Sequence, residues 1–467
     1  MKIRAQRRLL DGLPLAVLSA LALASLGALG PRYGGRLAIG VLDLDTDGSP
    51  SFTRDRGARL LLGLSHETLL ALDDAGAIAP SLAQRWSSAA GGREWTLELA
   101  ETARFHADTP VTADDVVRSL SRFLRSGSPA AALLAARLEG GDAYRRGTSD
   151  VLAAISATDV HRVLLRFAAE QATPPAELAS PAAAITSADG AGCGPFSLAH
   201  VVRGERAALL AFDRHVRGRP FVDSVDLVRY ADRPAMRLAL EQGKIQAALG
   251  ESGATARVAR LLLLLDPERD LFHSLAARRR VARGFDRDVL VRRFMPEAQT
   301  ACRLLPNESA RCDSPARLDA PNTPDAPLLL NVDSTLNPLA SQRVVAHLVA
   351  LGYRVNVAVL HPDAVVSTPA DARLLLWCPE VNESLLALHE LALLAGTLKP
   401  QQLAVFAAEA AHGPHQATID EQERSLLATG AVVPLAVAPL AAIGPTPLGV
   451  NVTPTGVLLL ENTWLPL

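Results

Sequence analysis

The sequence predicts an α/β protein assembled on parallel strands, and three observations carry that expectation. Residues 374–377, L-L-L-W, entered from Ala372, form an apolar run of strand length that stops at Pro379, whose missing amide cannot continue a ladder. Upstream, a strand at 328–331, a helix over 339–351 and a second strand at 353–359 make the strand–helix–strand unit from which parallel sheets are built. The chain also has 467 residues, too many for one hydrophobic core, so it divides into roughly three domains. Trp377, Cys378 and Glu380 then stand at the carboxyl end of a buried strand, where open α/β sheets bind their ligands.

Composition narrows the class. With 49% hydrophobic and 21% charged residues the chain is an ordinary globular protein. A formal net charge of -2 offers no attraction for nucleic acid. Aromatic residues are 4%, few for a pocket that stacks varied side chains. The amino terminus reads as a secretory signal peptide: Lys2, Arg4, Arg7 and Arg8 precede an uncharged, mostly apolar stretch over 13–30, with Ala22, Ala24, Ala28 and Gly30 offering cleavage sites. A retained anchor is the alternative, because the stretch just reaches spanning length. No cysteine precedes Cys193, so a lipoprotein attachment site is absent and a soluble periplasmic protein is expected. Cys193, Cys302, Cys312 and Cys378 leave three disulfide pairings open in an exported chain. The closeness of Cys302 and Cys312, with Pro306 and Asn307 to turn the chain between them, favours that pair.

Taken in order, residues 36–42 read as a strand running into the acidic turn D-L-D-T-D-G at 43–48. Its spacing suggests a calcium loop, but Arg54 stands where a bidentate acid is required, so a solvated loop is expected. Residues 59–70 have helical apolar spacing and 73–76 form a turn. The blocks T-L-L-A-L-D-D-A-G-A-I-A-P (68–80), S-L-A-Q-R-W (81–86), W-T-L-E-L (95–99) and F-H-A-D-T-P-V-T-A-D-D-V (105–116) lead into a helix. Thr112 caps it, Asp114 and Asp115 suit its first turn, and Val116, Val117, Leu120, Phe123 and Leu124 give it one apolar face. His106 is read as a structural loop residue, 126–147 as loop or short helix, and 151–167 as two strands. In G-A-G-C-G-P-F (190–196) the glycines let backbone approach another segment or a ligand, while Pro195 and the strand that follows exclude a dinucleotide fingerprint. The arginine-rich run 277–294 is a solvated helix face. Further helices are expected at 385–395, 401–411 and 419–427, and strands at 432–435 and near the carboxyl end with Trp464.

These blocks, in this order and spacing, resemble the bacterial extracellular solute-binding proteins of family 5, the oligopeptide- and dipeptide-binding components of ABC importers. W-C-P-E-V-N-E (377–383) is similar to the family's W-C-x-D-Y-N-E-P signature, with Glu380 for Asp, Val381 for Tyr, Ser384 for Pro and Leu376 where the family has Gly. G-C-G-P-F (192–196) is similar to its G-T-G-P-F turn, with Cys193 for Thr. The resemblance implies an α/β, two-lobed periplasmic binding protein fold of type II, enlarged with an extra subdomain. After a signal peptide at 1–30, the discontinuous first lobe takes 36–70, 186–272 and 439–467, the inserted subdomain 71–185 and the second lobe 273–438, with crossings near 272 and 438. It also implies a ligand between the lobes, a small peptide or peptide-like compound, a nickel chelate or a sugar. A monomer without cofactor would deliver it to ABC transporter permease subunits in the membrane.

On this reading Glu380 accepts the ligand's ammonium, because a carboxylate carried out of water by a buried strand needs a cationic partner. Leu376, Trp377, Cys378, Asn382, Cys193 and Gly194 line the site, with the strand tip and the glycine turn pairing to an extended ligand as a strand would. An orphan periplasmic sensor is the alternative, and a secreted hydrolase is the rival from another class. The hydrolase lacks a G-x-S-x-G or H-E-x-x-H motif, since His66-Glu67 has no second His. Neither catalytic residues nor metal ligands are expected; His412 and His415 have no third ligand nearby.

Overall fold

The computed structural model describes residues 31–49, 52–73, 75–249, 257–305, 312, 326–399, 402, 416–444, 450–453 and 455–465. The expected export signal, the expected helix at 401–411 apart from Gln402, and the pair His412 and His415 lie outside them.

The first lobe grows from β1, Arg36–Val41, whose Leu37, Ile39 and Val41 are buried on alternate positions as a strand requires. α1, Arg56–Ser65, begins earlier than its apolar spacing suggests, because the Asp55 carboxylate accepts from the Ala58 amide and caps it. In the inserted subdomain, α2, Ala113–Leu124, carries a reciprocal capping box between Thr112 and Asp115 and buries Val116, Leu120, Phe123 and Leu124. α3, Pro129–Arg137, starts at Ser128 with Pro129 in its first turn, a favoured order since proline has no amide to leave unpaired. A four-stranded antiparallel sheet supplies Trp95, Leu97, Val163 and Leu165 to the same core.

β2, Ser224–Arg229, returns to the first lobe and lies parallel to β1 from end to end. α4, Arg233–Glu241, follows it, and Ala247–Leu249 pairs with β1 on its other side. Among the described residues this sheet runs 441–443, 247–249, β1, β2, 206–211, 196–202. β3, Arg257–Leu265, belongs to the second lobe. So the chain changes lobe between 249 and 257, earlier than the expected 272. The reason is the unbroken leucine run, which buries Leu261, Leu263 and Leu265 in one core and Leu262 and Leu264 in another, as a central strand covered on both faces does.

β4, Leu328–Asp333, α5, Pro338–Ala350, and Val355–Leu360 are the expected unit, with the two strands parallel in register. β5, Ala372–Trp377, is parallel to β4 but antiparallel to β3. α6, Ser384–Leu394, leaves its tip, and β6, Val432–Pro439, closes on the far side of β3. Both large sheets are therefore mixed rather than parallel throughout. Ala441–Ile443 then joins the first sheet by pairing with Ala247–Leu249. Among the described residues Leu458–Leu459 pairs with Asn451–Val452 in a small two-stranded ribbon. Cys302 and Cys312 are disulfide-bonded, while Cys193 and Cys378 are free.

The second lobe is joined to the inserted subdomain by apolar packing: Val381 and Leu386 belong to the same buried core as Leu133, Leu134 and Phe123. Replacing Leu386 by Ala should therefore destabilise the protein by about 2 to 5 kcal/mol, read as a lowered urea midpoint.

Candidate ligand site between the lobes

The carboxyl ends of β1 and β2 in one lobe and of β4 in the other meet around a cavity of about 750 Å³. Its walls are Leu42 and Asp43 after β1, Arg229 at the end of β2, Asp232 to Pro234 with Arg237, Leu238 and Glu241 at α4, and Ser334 to Leu339 at the turn into α5. Asp232 and Asn337 already cap α4 and α5, accepting from Ala235 and Leu339 at 2.8 and 2.9 Å. Neither helix terminus is left as an open anion site. Arg233 spans the gap and donates to the Thr335 carbonyl at 2.7 Å. Leu238 and Leu339, one from each lobe, are 53% and 57% exposed and give the walls apolar surface. The Asp43 carboxyl is pushed up by burial and then by the neighbouring Asp55.

The residues expected to share one site part company, because successive side chains of a strand point to opposite faces. Leu374 and Leu376 reach a narrow extension of about 40 Å³, also walled by Arg233, Arg237, Leu336 and Asn337. The bulk of Leu376 helps close it where a glycine would leave room. Leu375 and Trp377 turn the other way, into the core under α6. Trp377 Nε1 donates to Glu390 at 3.1 Å, and Trp377, Asn382 and Arg260 line a separate cavity of about 210 Å³ inside the second lobe. Asn382 Nδ2 donates to the Gly76 carbonyl of the subdomain at 2.7 Å. Burial pushes the Cys378 thiol up.

Cys193 and Gly194 are placed elsewhere. A Cβ on Gly192 would lie 2.0 Å from the Ser65 carbonyl oxygen, and one on Gly194 2.5 Å from the His66 nitrogen. The glycines thus serve a close approach to the end of α1, sealed by the Gly194 amide donating to Ser65 at 3.1 Å and by His106 Nε2 at 3.0 Å from the Gly194 carbonyl. Cys193 is 2% exposed, its thiol directed at the Ile185 carbonyl. The expectation that this turn pairs with an extended ligand is corrected on that ground, whereas the structural role expected of His106 holds.

Glu380 is 5% exposed and its carboxylate is occupied. Ser128 Oγ lies 2.7 and 2.9 Å from its two oxygens, Ser180 Oγ donates at 2.7 Å and the Ala130 amide at 3.2 Å. Its own amide donates to Glu390 at 2.7 Å. Burial, and then the Glu380 charge, pushes the Glu390 carboxyl up to about 7. Other contacts across the lobes had no signal in the sequence. Asp363 accepts from Thr53 Oγ1 at 2.7 Å and from the Arg54 amide, and His361 Nε2 lies 3.4 Å from the buried Asp55. That bond to Asp55 raises the His361 imidazole above its ordinary value. Among the described residues no group of three His, Cys, Asp or Glu could hold a metal ion.

A family model described as bacterial extracellular solute-binding proteins, family 5 Middle, matches residues 77–301. No curated protein sequence matches the chain. Among solved structures, the ABC transporter-associated periplasmic binding protein DppA from Helicobacter pylori, in complex with the peptide STSA, is similar with a TM-score of 0.76 at 18% identity, over 93% of this chain and 99% of that one. The Escherichia coli murein tripeptide binding protein MppA gives a TM-score of 0.79 at 16% identity, over 94% and 99%. An unliganded open form of MppA gives 0.62 at 15% identity, over 94% and 98%. These likenesses establish the two-lobed fold.

Two groups give pH dependence of one sign. The raised Glu390 carboxyl contributes stability that is complete below its ordinary 4.5 and is lost as pH rises through about 7. The raised His361 imidazole contributes stability that is complete below 6.5 and is lost as pH climbs past its elevated folded value. The thermal midpoint of the wild type relative to that of Glu390→Gln should therefore fall as pH increases from 4.5 through about 7, whatever the other titrating groups contribute to both proteins.

Proposed function

We infer that this chain, which over residues 77–301 belongs to the bacterial extracellular solute-binding proteins of family 5, is an exported binding protein that captures a small peptide or peptide-like solute between its lobes. As a periplasmic monomer it hands that solute to the permease of an ABC importer. The observation that carries the reading is the cavity of about 750 Å³ whose walls come from both lobes. That volume falls within the range of small-molecule sites. A solute that touches both walls at once has higher affinity for the shut arrangement than for an open one. The peptide complex of DppA and the murein tripeptide assigned to MppA support the ligand class. Within the cavity, Arg233 and Arg237 supply positive charge, Asp43 and Asp232 negative charge, and Leu238 and Leu339 apolar surface, a mixture suited to a zwitterion with a short side chain.

Native mass spectrometry of the protein purified without refolding should show a bound small solute, and calorimetry with that compound should give one site per chain. Leu339→Glu, which alters an exposed wall residue and spares the core, should weaken that binding by about tenfold or more. A protein that carries no solute, or one that turns over peptide or ester libraries, would overturn the reading.

A further inference from the structure

A carboxylate can sit in a protein interior when donors fill its lone pairs and an opposite charge lies near. Glu380 has both without any solute. Three donors already converge on it: two hydroxyls that are wholly buried, Ser128 and Ser180, and the Ala130 amide. Ser128 works in both directions, since its oxygen caps α3 by accepting from the Ala131 amide at 3.1 Å while its proton goes to Glu380. The acid therefore lies at the positive end of a nine-residue helix that belongs to the other lobe. The opposite charge is Arg54, from the segment between β1 and α1, which interacts electrostatically with both Glu380 and Glu390.

The surroundings show the same arrangement. The Glu380 backbone is tied down by Glu390, Asn382 grips the Gly76 carbonyl, and Val381 is buried in the subdomain core. A three-donor ammonium would have to displace the α3 terminus to reach the carboxylate. Glutamate is one methylene longer than the aspartate of the similar signature, and that length allows the side chain to reach across to α3. The lobe arrangement is also nearer to one MppA structure, at 0.79, than to the unliganded open one, at 0.62.

We propose that Glu380 is a latch between the lobes that holds the closed arrangement in the absence of solute, so that the solute needs no free amine at this point. The α3 terminus takes the place of the cationic group. The proposal rests on the reading of two lobes that open and shut, and it is tested apart from solute identity.

The test is small-angle scattering and hydrogen exchange on the full chain, with native mass spectrometry showing it to be free of small molecules. Wild-type protein should scatter as the closed form. Glu380→Gln, isosteric but uncharged, should enlarge the radius of gyration and speed exchange of the Ala130 and Ala131 amides by about tenfold or more. If that variant does not fold, Glu380→Asp keeps the charge but shortens the reach, and the same opening is expected. Solute-free wild-type protein that scatters as an open form, or a folded variant that stays closed with unchanged exchange, would overturn the latch. Failure of the transport reading would instead appear as absence of any bound solute, with the scattering result still decisive here.

Discussion

The arrangement of this molecule depends on how a carboxylate is given hydrogen-bond donors away from water. Glu380 leaves the tip of β5 into a space with almost no solvent, and the protein answers with two hydroxyls, an amide at a helix terminus and a nearby guanidinium. Those groups come from the subdomain and the first lobe, so satisfying one side chain fixes three parts of the chain relative to one another. The apolar contact of Val381 and Leu386 with the subdomain core adds area to the same junction. Removing either acid of the Glu380 and Glu390 pair is therefore a change in lobe geometry as well as in charge.

Much of the fold could be read before the structure, for reasons visible in particular residues. The capping box at Thr112 and Asp115, the apolar face of α2 and the parallel unit of β4 and its neighbour are local, and local physics was sufficient for them. The disulfide between Cys302 and Cys312 followed from their short separation in the sequence. The first crossing was misplaced because a leucine run has no periodicity to tell which sheet it joins; the pairing of Arg260 with Trp377 and of Leu265 with Ala372 decides that, and it spans more than a hundred residues.

The site was less legible. Resemblance brought attention to 374–383, but strand alternation divides Leu376 from Trp377 and sends them to different cavities. Nothing near Glu380 in the sequence announces Ser128, Ser180 or Arg54. Ser128-Pro129 could be recognised as a helix start, yet its second partner lies 252 positions away. The glycines at 192 and 194 were rightly read as marking a close approach, and the object approached proved to be the end of α1.

The two passages of the chain between lobes have a mechanical consequence. Leu249 is paired with Ala441 on one side of the gap, and Arg257 with Pro439 on the other. Both connections thus leave and enter hydrogen-bonded ladders side by side, like two threads through one binding. Bending about a line through those ladder ends would leave each ladder intact, whereas twisting would shear them, so the pairing favours a book-like opening over a twist.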